Sequence, residues 1–141
     1  WYITIPPQPK MIRNKRILLI DDNHALKFLT RMLLRDEKHV GIIDDAANGI
    51  AALEHLENPE NTPDIIFLDM NMPRMNGYEF LLEYKKRGMH NRHTRIYMLT
   101  TSTLEDERKK IMDTGIIVDY FEKPLSEKHI RKIINDLLVA K

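Results

Sequence analysis

Five chemistry-bearing positions in this chain sit at the ends of short apolar runs. Asp21 and Asp22 follow Ile17-Leu18-Leu19-Ile20, and Asp69 follows Ile65-Ile66-Phe67-Leu68. Thr100 follows Ile96-Tyr97-Met98-Leu99, and Lys123 lies just beyond Tyr120-Phe121. Brought to one place, three carboxylates repel one another unless a cation joins them. An all-oxygen ligand set with no thiol or histidine beside it favours a hard ion, magnesium above all. A lysine and a hydroxyl at the same rim can bind an anion delivered there. Such a set suits phosphoryl chemistry, in which a protein mainly positions reactants and neutralises charge. Taken singly, each residue has an ordinary role: a turn or helix cap for the aspartates and Thr100, a solvated charge for Lys123. Their shared position at successive run ends sets them apart.

For these residues to meet, the runs must be neighbouring strands with their carboxyl ends aligned. The chain alternates accordingly. After the first run, Leu26, Leu29 and Leu33 recur at helical spacing with Met32 beside them and mark a helix. A weaker strand is expected over 40–45, then a helix over 46–56 carrying Ile50, Leu53 and Leu56. Residues 58–63 hold two prolines and read as a loop. The strand at 64–69 is followed by turn residues Met72-Pro73 and Asn76-Gly77, then by a helix marked by Phe80, Leu81 and Tyr84 that ends near Gly88. A fourth strand at 96–99 precedes a helix marked by Leu104, Ile111 and Met112 and closed by Gly115. A short fifth strand holds Tyr120-Phe121 and stops before Pro124. Ser126 then caps a helix with the stripe Ile130, Ile133, Ile134, Leu137 and Leu138. Five strand–helix units in alternation predict an α/β three-layer fold, a parallel sheet covered on both faces. In such a sheet the functional crevice lies beyond the carboxyl ends of the strands.

Composition narrows the function. The chain has 141 residues, 43% of them hydrophobic and 30% charged, which suits one globular domain and excludes wholesale disorder. Its 22 basic and 21 acidic residues give a net charge of +1, so no bulk field for nucleic acid exists. With no cysteine, a disulfide scaffold, a thiolate metal site and a cysteine nucleophile are excluded. No apolar run reaches the length of a membrane span and no signal-peptide pattern opens the chain. A cytoplasmic protein without membrane or direct nucleic-acid partners is expected. Residues 1–10, WYITIPPQPK, carry three prolines and the one tryptophan. Residues 1–14 are expected to be an N-terminal tail or leader, with the domain at 15–141. The basic run Lys85-Lys86-Arg87 reads as a helix end favoured by the dipole. His90 and His93 have no acidic or thiol neighbour in sequence, so zinc is not expected there. The eight methionines read as core filler, with Met70, Met72 and Met75 placed to tune the loop beside Asp69.

From about residue 15 onward the chain resembles the receiver domain of two-component response regulators, of the chemotaxis single-domain type. The matching segments are ILLIDDN at 17–23, AANGIAAL at 46–53, DIIFLDMNMPRMNG at 64–77, YMLTTS at 97–102 and YFEKPL at 120–125. The resemblance implies a flavodoxin-like (βα)5 fold with strand order 2-1-3-4-5. It implies Asp69 as phosphoacceptor, a carboxylate nucleophile that forms an aspartyl phosphate. It implies Asp22 as a direct magnesium ligand, Asp21 as a direct or water-mediated one, and the Asn71 main-chain carbonyl alongside. Lys123, followed by the family's proline at Pro124, would pair with phosphoryl oxygens. Thr100 would donate its hydroxyl to them, and Tyr120 would be the aromatic that turns inward when Thr100 moves. Thr101 stands where many receivers have alanine and would narrow access to Asp69. Ser102 cannot act as an acidic positioner of water.

The implied function is a phosphoacceptor signalling module. It takes phosphate on Asp69 from a histidine kinase or phosphotransfer protein and switches the surface formed by helix 4, strand 5 and helix 5, residues 104–110 and 120–122 included. In this reading it is not an enzyme in its own right, although it assists its own phosphorylation and dephosphorylation. The rivals are a phosphorylation-independent interaction module, an aspartate-nucleophile phosphatase and an FMN-binding flavodoxin-like protein. The complete acid, threonine and lysine set argues against the first. Asn71, two residues after Asp69, cannot serve as the phosphatase's general acid. Asp21-Asp22 would repel the phosphate that an FMN loop must cradle.

Overall fold

A computed structural model describes residues 14–37, 39–101 and 105–139. Its elements run β1 (Lys15–Ile20), α1 (His24–Arg35), β2 (Val40–Ala46), α2 (Gly49–Glu57), β3 (Ile65–Asp69), α3 (Gly77–Lys86), β4 (Arg95–Thr100), α4 (Glu105–Met112), β5 (Ile117–Glu122) and α5 (Glu127–Val139). The strands form one sheet in the order β2-β1-β3-β4-β5, and every pair is parallel. This is the expected flavodoxin-like architecture. The tail expected at 1–14 lies outside the described residues apart from Asn14, as do Ser102 and Leu104.

The period-two alternation of a strand divides the core into two layers. On one face Leu18, Ile20, Ile66, Leu68, Ile96 and Met98 pack against α2, α3 and Ile111 of α4. On the other, Ile17, Leu19, Ile65, Phe67, Tyr97 and Leu99 pack against Leu34 of α1 and the Ile130, Ile133, Ile134 stripe of α5. Burying each such side chain is worth about 1.5–3 kcal/mol, so the central strands are the most strongly held part of the molecule. Among the described residues no helix is long and apolar enough to cross a membrane.

In three helices, apolar residues that marked the helix in the sequence lie exposed. In α1, Leu29 and Met32 are half exposed and Phe28 more so, whereas Lys27, Thr30 and Leu34 are buried. The helix carries apolar residues on more than one face, and the strand underneath selects the Leu34 face. Ala46 ends β2 and does not begin a helix; α2 starts at Gly49, where the Asn48 side chain caps it by accepting from Ala51 N, and its buried face falls on Ala52, Leu53 and Leu56, leaving Ile50 exposed. Met112 of α4 is exposed as well. The polar network differs too: His93 does meet an acid, its Nε2 lying 3.4 Å from Asp64 Oδ1, because adjacent β3 and β4 begin side by side. Met70 and Met72 are buried in the first core layer, as filler residues should be. The basic run closes α3 as expected, with Arg87 pairing Glu83 and Glu57.

Candidate functional site

Strand register assembles the acid cluster. Ile20 of β1 is paired with Leu68 of β3, so Asp21 and Asp69, one step further along, emerge side by side. Thr100 of β4 is paired with Glu122 of β5, which brings Lys123 to the same rim. The Lys123 main-chain N–H donates to the Thr100 carbonyl at 3.1 Å and fixes that step. Asp21, Asp69 and Thr100 are all buried. Residues up to 102 positions apart in sequence thus converge within hydrogen-bonding distance.

The turn from Asp69 into α3 is held by a close approach of main chains. Gly77 N donates to the Met70 carbonyl at 2.8 Å. A Cβ at position 77 would stand 2.6 Å from the Asp69 carbonyl oxygen, so only glycine lets the helix start against the strand end. Arg74, midway through this loop, has φ of 68°. That left-handed conformation is one a non-glycine residue adopts at a cost of about 1 kcal/mol or more. Met75 packs over Gly49, so the loop also leans on α2.

The side chain of Lys123 is buried, not solvated, at only 8% exposure. Nζ donates to Asp21 Oδ2 at 2.7 Å and lies 2.9 Å from Asp69 Oδ1. Asp21 Oδ1 accepts from Asn23 N at 2.8 Å, and Asp69 Oδ1 accepts from Asn71 N at 3.3 Å. Asp22, exposed at the mouth, offers a carboxylate whose distance to those of Asp21 and Asp69 is within 4.8 Å. Burial, aided by the Asp21 charge, pushes the Asp69 carboxyl up to about 6, even though the Lys123 hydrogen bond pulls it down. Burial disfavours the Lys123 ammonium, but its hydrogen bonds to Asp21 and Asp69 outweigh this and hold its pKa above the usual lysine value. One ammonium against three carboxylates leaves surplus negative charge. The donors are all oxygen and lie close enough to share one ion, so the residues present fit a hard divalent cation.

Tyr120 borders the same small space as Thr100. Its ring packs partly buried against the first core layer, and its hydroxyl is buried without a hydrogen-bond partner among the described residues. Thr100 and Tyr120 line the same small cavity of about 10 Å³, together with Met70, Met98 and Ile111. Thr101 is exposed at the rim. Sequence reasoning missed two features of this neighbourhood. One is the exposed apolar face of α1, where Leu29, Met32 and Leu33 border a surface hollow of about 550 Å³ with Pro124 and Leu125, next to Lys123. The surplus of apolar residues in α1, more than one face can bury, was its signal. The other is Arg108, whose guanidinium lies over the Tyr120 ring; nothing in the sequence announces that contact.

Comparison with known proteins agrees with this fold. The family model described as "Response regulator receiver domain" matches residues 17–135. The chain is 32% identical over 128 residues to the chemotaxis protein CheY of Halobacterium salinarum, an alignment covering 89% of this chain and 98% of that protein. It is 29% identical over 119 residues to the sensor histidine kinase CheAY of Helicobacter pylori, where the match takes in 84% of this chain and 14% of the longer protein. Among solved structures, a two component response regulator from Cytophaga hutchinsonii superposes with a TM-score of 0.80 at 27% identity, covering 91% of this chain and 99% of that one.

Proposed function

This chain belongs to the response regulator receiver domain family, and from that premise we propose that Asp69 is the phosphoacceptor of a two-component phosphorelay. The donor is a phosphohistidine on a sensor histidine kinase or a histidine phosphotransfer protein. The observation that carries the reading is the single Lys123 ammonium shared by two buried carboxylates, Asp21 and Asp69, at the ends of β1 and β3.

In the transfer an ionised Asp69 oxygen attacks phosphorus as the donor's P–N bond breaks. The electron pair leaves with the imidazole, which takes a proton from solvent. Lys123 is placed to follow the negative charge from Asp69 onto the phosphoryl oxygens, and Asp21 keeps the ammonium oriented. The Thr100 hydroxyl donates to the same oxygens, and the space it leaves beside Tyr120 biases that ring inward. Asp21, Asp22, Asp69 and the Asn71 carbonyl are the groups that would hold magnesium, which would supply charge neutralisation for the transferred group. Asn71 brings no acid two residues after Asp69, which argues against phosphatase chemistry.

The α1 face supports the choice of donor. Phe28, Leu29 and Met32 are 61%, 51% and 50% exposed. Leu29 and Met32 make an apolar shelf with Leu33, Pro124 and Leu125 next to Lys123, where a helical donor could dock and present its histidine to Asp69. The downstream effector is assigned to the α4, β5 and α5 face, of which residue 104 lies outside the described residues.

Treatment with acetyl phosphate and magnesium tests the reading. One hydroxylamine-labile phosphate per chain is expected, and it should vanish on chelation and in Asp69→Asn. Labelling that persists in Asp69→Asn would place the acceptor elsewhere.

A further inference from the structure

Helix α4, with the sequence EDERKKIM, has little apolar surface to hold it; among its described residues Ile111 alone is buried. Two of its charges nevertheless lie on aromatic faces, one on each flank. The Arg108 Cζ atom is 4.2 Å from the centroid of the Tyr120 ring on β5. The Lys110 Nζ atom is 4.1 Å from the centroid of the Tyr78 ring on α3. Both distances lie well inside the range in which a cation is drawn to an aromatic quadrupole. Arg108 has no ion pair among the described residues, so the ring is its specific partner. The Tyr120 hydroxyl, in turn, has no hydrogen bond there to hold the ring.

We infer that Arg108 is a positioning residue of the output face: its guanidinium ties the placement of α4 to the rotamer of Tyr120, while Lys110 ties the opposite flank to α3. The inference rests on the reading of Tyr120 as the element that responds to Thr100, and it adds the physical link from that ring to a helix. Tyr120, Thr100 and Arg108 border one cavity, so a displaced Thr100 alters the space into which the ring packs. Turning the ring withdraws its face from Arg108 and loosens one flank of α4. The Lys110–Tyr78 flank stays in place because α3 is anchored independently. A partner that reads α4 therefore reads the ring.

Amide hydrogen exchange of the full chain tests the link, since exchange in α4 reports its local opening. In untreated protein, Arg108→Gln should speed exchange in α4 about two- to fivefold, the effect of losing one exposed cation–π contact. Tyr120→Leu should do the same, and the double variant should be no faster than either single one, because both remove one shared contact. Tyr120→Phe keeps the ring and should exchange like wild type, which separates loss of the contact from damage to the fold. Lys110→Gln should also speed exchange, but its effect should multiply with that of Tyr120→Leu. No change in Arg108→Gln, or multiplicative effects of Arg108→Gln and Tyr120→Leu, would overturn the link. Beryllofluoride with magnesium should speed α4 exchange in wild type and leave Arg108→Gln nearly unmoved. If acetyl phosphate labels Asp69 while α4 of wild type is indifferent to beryllofluoride, the coupling is wrong. If Asp69 takes no label, the phosphoacceptor reading fails instead, and the untreated cycle still judges the contact.

Discussion

Helices α3 and α4 each follow a strand whose end carries a site residue, Asp69 and Thr100, yet they are attached by different physics. The first turn of α3 is held by a capping box in which Asn76 and Glu79 satisfy each other's main-chain N–H groups. Its glycine start rests on the Asp69 carbonyl, and Phe80, Leu81 and Tyr84 are buried to 1% exposure or less. In α4 only Ile111 enters the core, and the remaining attachment described is two cations on two rings. In the proposed reading, the difference divides the labour of a phosphorylation switch. A nucleophile must be held still, which takes buried area and close main-chain contact. An output surface must move for the small free energy that one phosphoryl group supplies, which takes an element with few buried contacts.

The division can be broken most sharply by truncation on each side. Phe80→Ala should cost about 3–5 kcal/mol in urea unfolding, as loss of a fully buried ring does. Arg108→Gln and Lys110→Gln should each cost no more than about 1 kcal/mol. Comparable losses on the two sides would erase the distinction.

Electrostatics sharpen it next. The Asp69 carboxyl is raised from 3.8 to about 6, first by burial. A raised carboxyl pKa means that the folded protein holds the proton more tightly than the unfolded chain. The stability this contributes is fully present below about pH 4 and is lost as pH rises through about 6. Metal-free Asp69→Asn should therefore exceed wild type in stability above pH 6, with the gap closing as pH falls toward 4. Arg108→Gln should show no such pH step, since arginine does not titrate in this range. Urea unfolding from pH 4 to 8 measures both, and a gap that widens toward low pH would refute the assignment.

A smaller effect is expected where α3 begins. Gly77→Ala forces a Cβ against the Asp69 carbonyl oxygen and should cost about 1–2 kcal/mol despite alanine's better helix propensity. Labelling by acetyl phosphate should slow with it, because the strand end that carries Asp69 must shift. Unchanged labelling would mean that the α3 start does not position the nucleophile.

The sheet and the residues at its strand ends were legible because apolar runs and the polar groups that follow them are local patterns. Strand order was read only through resemblance, since periodicity cannot say which run lies beside which. The buried face of α1 was not legible because the helix has more apolar residues than one face can bury, and the choice of Leu34 over Leu29 belongs to the strand beneath it. That Lys123 shares a rim with Asp21 and Asp69 was legible from the run ends; that its side chain is buried and bonded directly to both carboxylates was not, because only the register sets those distances. The contacts of His93 with Asp64 and of Arg108 with Tyr120 likewise join segments whose adjacency is a product of the fold.

Site-resolved amide shifts of the wild-type chain, recorded with magnesium before and after addition of beryllofluoride, test the central claim most directly. The account predicts changes around Asp69 and Thr100 that extend through Tyr120 into α4, while the buried turns of α3 around Phe80 and Tyr84 stay in place. Changes confined to the neighbourhood of Asp69, with Tyr120 and α4 silent, or a displacement of α3 instead of α4, would contradict it.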